Sequence, residues 1–195
     1  MSRLLQLFCP NQRADALSLI DLEELKSRRI EALLLDLDNT LVPWRSYDIS
    51  PQTAEWVGRA RECMKVCIVS NSRTPKRMQA LAEQLGISYA RRGAKPRRVG
   101  FREALEILGV ESSRAAVIGD QIFTDILGGN RLGAYTILVR PIHRREFVGT
   151  KVSRLAERVI LRMLERRGMM ANQTPIPTSE GEQMPSPNGQ KKSEQ

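Results

Sequence analysis

The chain has 195 residues, of which 41% are hydrophobic and 27% charged, and it carries a net charge of +9 at pH 7. That length holds one domain with a buried core and leaves residues for tails. No stretch is long and apolar enough to cross a bilayer. Met1–Pro10 lacks a small-residue cleavage site and does not read as a signal peptide, so a cytoplasmic location is expected. Cys9, Cys63 and Cys67 cannot all pair, and with the single His143 they do not form a zinc-ligand pattern. They read as reduced thiols, which disfavours a secreted, disulfide-built fold.

The elements follow in chain order. Ala32–Leu35 is a short continuous apolar run, the pattern of a strand buried on both faces. Ser50-Pro51 opens a helix to about Cys63, because Ser is a good N-cap and Pro suits the first helical position. Val66–Val69 is a second buried strand. Thr74-Pro75 starts another helix that stops near Gly86, and Ile87–Ala90 is a short third strand. Val99–Leu108 is helical up to Gly109, and Ala115–Ile118 is a fourth strand. Thr124–Leu132 is a helix ended by Gly133, and Thr136–Val139 is a fifth strand. Strands alternating with helices predict an α/β fold, a Rossmann-like doubly wound parallel sheet with helices on both faces. Residues 1–30 are expected to pack on the core or on a membrane, 31–147 to form the catalytic domain, 148–170 a basic amphipathic helix, and 171–195 a disordered tail poor in large apolar residues.

Polar residues follow three of these strands at once. Asp36-Leu37-Asp38-Asn39-Thr40 follows the first, Ser70-Asn71-Ser72 the second and Gly119-Asp120 the fourth, with Asp125 shortly after. Lys95 lies in the loop before the Val99 helix. Parallel strands open their C-terminal ends on one sheet edge, so these residues should converge there. Asp36 and Asp120 then make a hard oxygen site suited to Mg²⁺. Packed carboxylates without a cation would repel, so a metal explains their coexistence. A carboxylate can attack phosphorus, Asp38 can serve as proton donor and then base, and Ser70, Asn71 and Lys95 can hold phosphate oxygens. Taken singly, Ser70 and Thr124 could be mere helix caps.

In order and in strand context these segments resemble the motifs of the haloacid dehalogenase-like (HAD-like) phosphatase superfamily. By resemblance, Asp36 is nucleophile and metal ligand. Asp38 is the acid/base, with its carbonyl on the metal. Ser70 and Lys95 bind phosphate, Asp120 is a metal ligand, and Asp125 is a further ligand or a group behind the ligands. The gaps from Asp36 to Ser70 and from Ser70 to Lys95 leave no room for a cap domain, which implies an open site for a bulky substrate. Leu41-Val42-Pro43-Trp44 after the first motif and Gly149-Thr150-Lys151 with Arg154 and Glu157-Arg158 resemble the YqeG-like branch. That branch is similar to the phosphatidylglycerophosphate phosphatases. The resemblance implies Mg²⁺ as cofactor, a phosphorylated substrate with a phospholipid headgroup, and removal of its terminal phosphate. The alternative keeps the chemistry and changes the substrate to a soluble phosphoester or a phosphoprotein.

The flanks bear on partners. Val152, Leu155, Ala156, Val159, Ile160, Met163 and Leu164 recur at helical spacing, with Arg154, Arg158, Arg162, Arg166 and Arg167 largely off that face. Such a helix either packs on the sheet domain or lies in an anionic membrane interface. Arg3 with Leu4, Leu5, Leu7 and Phe8 would add a second anchor. Arg91, Arg92, Arg97 and Arg98 flank Lys95 and are expected to bind the anionic part of the substrate. A non-enzymatic nucleic-acid-binding protein is the remaining reading of the basic charge. No nucleic acid is expected, because 5% aromatic content leaves little for bases to stack on.

Overall fold

The computed structural model describes residues 3–72, 74–143 and 148–168. The segment expected to be a disordered tail lies outside them, as do the side chains of Val152, Arg154 and Leu155.

Six strands form one parallel sheet in the order β1-β6-β5-β2-β3-β4. They are β1 (Gln12–Ala14), β2 (Ala32–Leu35), β3 (Lys65–Ile68), β4 (Ser88–Tyr89), β5 (Ala115–Gly119) and β6 (Tyr135–Val139). The helices are α1 (Arg3–Gln6), α2 (Leu22–Ser27), α3 (Pro51–Cys63), α4 (Pro75–Leu85), α5 (Val99–Leu108), α6 (Leu127–Leu132) and α7 (Val148–Arg166). The local chemistry that predicts them is in place. Ser50 Oγ accepts from Thr53 N at 3.2 Å at the start of α3, and Gly86 ends α4 at φ 62°, where a Cβ would be strained.

The period of two along the strands divides the core. Leu33, Leu35, Val66 and Ile68 pack with Trp56, Val57 and Leu81 of α3 and α4. Leu34, Cys67 and Val117 pack with Phe101, Ala104 and Leu108 of α5 on the other face. Both faces are thus covered, as a parallel sheet requires. Burial and the nearby Glu103 push the Cys67 thiol up to about 12, so it stays an unreactive core residue.

Three features differ from the sequence expectation. The segment before β2 supplies a sixth strand, β1, whose Arg13 is in register with Leu138 of β6. Trp56 Nε1 donates to Ile20 O at 2.9 Å, which ties the same segment to α3. The expected helix over 124–132 begins as a π-helical turn, Ile122–Ile126, before α6 takes over. In α7 the inward residues are Glu157 and Leu164, both buried, and Leu161, which packs on Ile122, Ile126 and Leu138. Ala156, Val159 and Met163, expected on the packed stripe, stay exposed. Packing wins for one side of this helix, and a second apolar strip is left outside.

Candidate active site

The sheet order reverses between β2 and β5. From β2 the chain builds outward through β3 and β4, then returns to place β5 on the other side of β2. Crevices form at such a switch point, outside the strand carboxyl ends. Asp36 follows β2 and Asp120 follows β5, and the strands stay in register to that edge, with Asp36 N donating to Ile118 O at 2.9 Å.

A cleft of about 680 Å³ opens here, lined by Asp36, Asp38, Ser70, Asn71 and Lys95 together with Trp44, Arg45, Tyr47 and Arg77. Its floor is charged and buried. Asp36 and Lys95 are each 7% exposed and Asp120 and Asp125 each 1%. Carboxylate oxygens of Asp36, Asp120 and Asp125 all lie within 4.8 Å of one another. The Lys95 ammonium bridges two of them: it forms a short ion pair with Asp36 and donates to Asp125 Oδ1 at 2.7 Å. The other Asp125 oxygen accepts from Gln121 N at 3.1 Å. A Cβ on Gly119 would come within 2.3 Å of the Asp125 carboxylate, so only glycine lets that side chain reach the floor.

The electrostatics of the floor are unbalanced. The Asp36 carboxyl is raised to about 7: burial pushes it up most, Lys95 pulls it back, and Asp125 and Asp38 add to the rise. Burial alone would lower the Lys95 ammonium, but the Asp125 and Asp36 carboxylates outweigh it and hold it above its ordinary range. Three buried carboxylates against one ammonium leave an excess of negative charge in a dry site, and oxygen-only donors on a compact centre fit Mg²⁺. Asp36, Asp120 and Asp125 are the side chains that would hold it. A bound cation would favour the charged Asp36 carboxylate and so offset the burial, and the smaller repulsion, that raise it.

The other predicted residues are in the cleft, with altered partners. Asn71 grips the backbone of the lysine loop: its Nδ2 donates to Lys95 O at 3.0 Å, and Lys95 N donates to its Oδ1 at 2.7 Å. It thereby fixes where the ammonium emerges. Ser70 is buried, and its Oγ accepts from Ser72 N at 3.1 Å, which leaves the hydroxyl proton for a ligand. Asp38 is held by a residue the sequence reading missed. Arg77, buried on α4, pairs with Asp38 through Nη2 at 2.9 Å and Nη1 at 3.2 Å. Its Nε donates to Ser46 O at 2.9 Å. Arg91, Arg92, Arg97 and Arg98 do not line the cleft. Arg92, Arg97 and Arg98 line a separate groove with Arg102 of α5. Glu157 was also unassigned: its carboxylate accepts from Ile122 N at 2.9 Å and caps the turn that carries Asp125.

Residues 93–146 match the Hydrolase_like family model, described as HAD-hydrolase-like. Over 166 residues the chain is 37% identical to the "Probable phosphatase YqeG" of Bacillus subtilis, covering 85% of this chain and 96% of that one. This chain belongs to the HAD-like phosphatase superfamily. Within that superfamily it is 30% identical over 175 residues to phosphatidylglycerophosphate phosphatase 1, chloroplastic/mitochondrial, of Arabidopsis thaliana, covering 84% of this chain and half of that longer protein. Among solved structures, the deoxy-D-mannose-octulosonate 8-phosphate phosphatase of Haemophilus influenzae is 15% identical with a TM-score of 0.46, covering 74% of this chain and 94% of that one. In this HAD-like chain, the segments between Asp36 and Ser70 and between Ser70 and Lys95 hold the helices α3 and α4 and the short strand set of the sheet, with no inserted lid domain among the described residues.

Proposed function

We propose that the protein is a Mg²⁺-dependent phosphomonoesterase that works through an aspartyl-phosphate on Asp36 and removes the terminal phosphate of phosphatidylglycerophosphate. The observation that carries the chemistry is the floor itself: a buried carboxylate, Asp36, paired with Lys95 and grouped with Asp120 and Asp125, at the bottom of an open cleft.

Asp36 attacks phosphorus, forming an O–P bond as the bond to the leaving oxygen breaks. Asp38 gives its proton to that oxygen, then takes one from the water that cleaves the acyl phosphate and returns inorganic phosphate. The Lys95 ammonium and the Ser70 hydroxyl hold the phosphoryl oxygens, where negative charge is spread in the transition state. Asn71 acts by orienting Lys95. Asp36, Asp120 and Asp125, with the Asp38 carbonyl, would hold Mg²⁺, which supplies positive charge toward the transferring group.

The lipid substrate is supported by the Arabidopsis relative and by the open cleft, over which the described residues place no lid, leaving room for a headgroup presented from a bilayer. Among the described residues no helix is long and apolar enough to cross a membrane. Peripheral contact with an anionic, cytoplasm-facing membrane surface is supported by the exposed Val159 and Met163 on α7, flanked by exposed Arg158, Arg162 and Arg166. The test is phosphate release from phosphatidylglycerophosphate in mixed vesicles with Mg²⁺, with Asp36→Asn as control. Release from soluble phosphoesters or phosphoproteins but none from the lipid would remove this substrate and keep the enzyme.

A further inference from the structure

We infer that the cleft carries a second anion subsite, built on Arg77 and Arg45, which takes an anionic group of the substrate beyond the scissile phosphomonoester and thereby frees Asp38 for proton transfer. This rests on the phosphomonoesterase reading above, in which Asp38 must reach the leaving oxygen.

In the structure Asp38 is committed elsewhere. Its Oδ2 accepts from Arg77 Nη1 at 3.2 Å, its Oδ1 lies 2.9 Å from Arg77 Nη2 as an ion pair without a hydrogen bond, and Oδ1 also accepts from Arg45 N at 2.9 Å. The Arg77 side chain is only 4% exposed. A guanidinium so far out of water holds its partner firmly, because losing the carboxylate would leave a buried cation unpaired. Asp38 can therefore leave cheaply only if another anion takes its place on the fork. A planar guanidinium accepts a phosphodiester or a second carboxylate as well as it accepts Asp38.

The surroundings suit that exchange. Arg77 and Arg45 both line the cleft that ends at Asp36. The Arg45 guanidinium stacks 4.5 Å from the Trp44 ring centroid, and Arg77 lies 5.9 Å from that of Tyr47. Arg77 Nε donates to Ser46 O at 2.9 Å, so the fork is aimed by the loop and not by Asp38 alone. The cleft thus has an acidic floor for a metal and phosphomonoester, and a cationic wall for a second anion of the same molecule. The ligand class is a phosphomonoester carrying a phosphodiester a few bonds away. Both a lipid headgroup and its deacylated form have that chemistry.

An esterase built this way should read the second anion in kcat as well as KM, since substrates lacking it leave Asp38 on Arg77. The test compares glycerol 3-phosphate, deacylated glycerophosphoglycerol phosphate and the intact lipid in micelles, all with Mg²⁺. The deacylated headgroup should exceed glycerol 3-phosphate in kcat/KM by about ten- to a hundredfold, with part of the gain in kcat. In Arg77→Gln that ratio should fall to within about threefold, and in Arg45→Gln, an exposed position that spares the fold, it should fall in the same direction. Equal rates on the two soluble substrates, or an unchanged ratio in both variants, would overturn the inference. So would an advantage seen only with the intact lipid, since the acyl chains would then be what is read. A second arm uses glycerophosphoglycerol, which has the diester and no monoester. It should raise the melting temperature of the wild type and not of Arg77→Gln. If that holds while no ester is hydrolysed, the phosphatase reading fails and the subsite stands.

Discussion

At the floor of the cleft, four charged side chains come from the ends of β2 and β5, from the turn Ile122–Ile126 and from the 93–96 loop, and none is more than 7% exposed. At the rim, Trp44, Arg45 and Tyr47 come from one loop and are exposed. The floor is held by strand register and ion pairs, the rim by a few hydrogen bonds around Asp38. The difference separates two tasks. In the proposed reading, phosphoryl transfer needs fixed charges out of water, which strand ends and buried ion pairs supply. Recognition of the rest of the substrate needs reach and variety, which the loop with Arg45 supplies beside the buried Arg77 of α4.

If that division holds, floor variants should fail in chemistry and rim variants in selectivity. The largest effect belongs to Asp36→Asn, which should cut phosphate release by about a thousandfold or more, read as single-turnover phosphate formation. Lys95→Met comes next. It leaves Asp36 and Asp125 buried without their cation and should destabilise the metal-free protein by about 3–5 kcal/mol in urea, with a smaller loss in Mg²⁺.

The floor should also respond to pH with a definite sign. Asp36 has a folded-state proton affinity raised to about 7 from an ordinary 3.8. Between those values the folded metal-free protein binds more protons than the unfolded chain, so its stability falls as pH rises through that window. Denaturation in EDTA at pH 5, 6, 7 and 8 should show the fall, and Asp36→Asn should flatten it. Mg²⁺ should also flatten it. A stability that rises over this range in EDTA would break the picture of an under-neutralised floor.

Smaller is the expected effect of Glu157→Ala, which removes the acceptor of Ile122 N and should cost about 1 kcal/mol. It should also weaken Mg²⁺ binding measured calorimetrically, since Asp125 rides on the capped turn. Smallest is the rim itself. Trp44→Ala should change stability by no more than about 0.5 kcal/mol, and a larger loss would mean that the rim is part of the folded core.

The floor was legible in the sequence because the chemistry sits directly after buried apolar runs. Leu35 to Asp36 and Ile118 to Asp120 are local steps, and strand adjacency does the rest. The partners that reshape the site were not legible. Arg77 meets Asp38 across 39 residues, and Asn71 meets Lys95 across 24, so both depend on how α4 and the lysine loop dock. Arg91, Arg92, Arg97 and Arg98 looked closer to the site than Arg77, but the loop carries them toward α5. β1 was missed because three residues with only Ala14 well buried give no period to read. In α7 the apolar stripe was visible, but burial of Glu157 for a capping role turned the helix so that part of the stripe faces out.

β1 also has a consequence for how the molecule is made. Its pairing partner is remote: Asn11 and Thr136, which bond across the β1–β6 junction, are 125 residues apart. During synthesis β1 therefore leaves the ribosome long before β6 exists, and their pairing forms last. Until then β5 presents unpaired backbone groups, an edge at which another chain could add. Once β6 and β1 have docked, the sheet ends on β1, an edge of 3 residues that offers little length for such pairing.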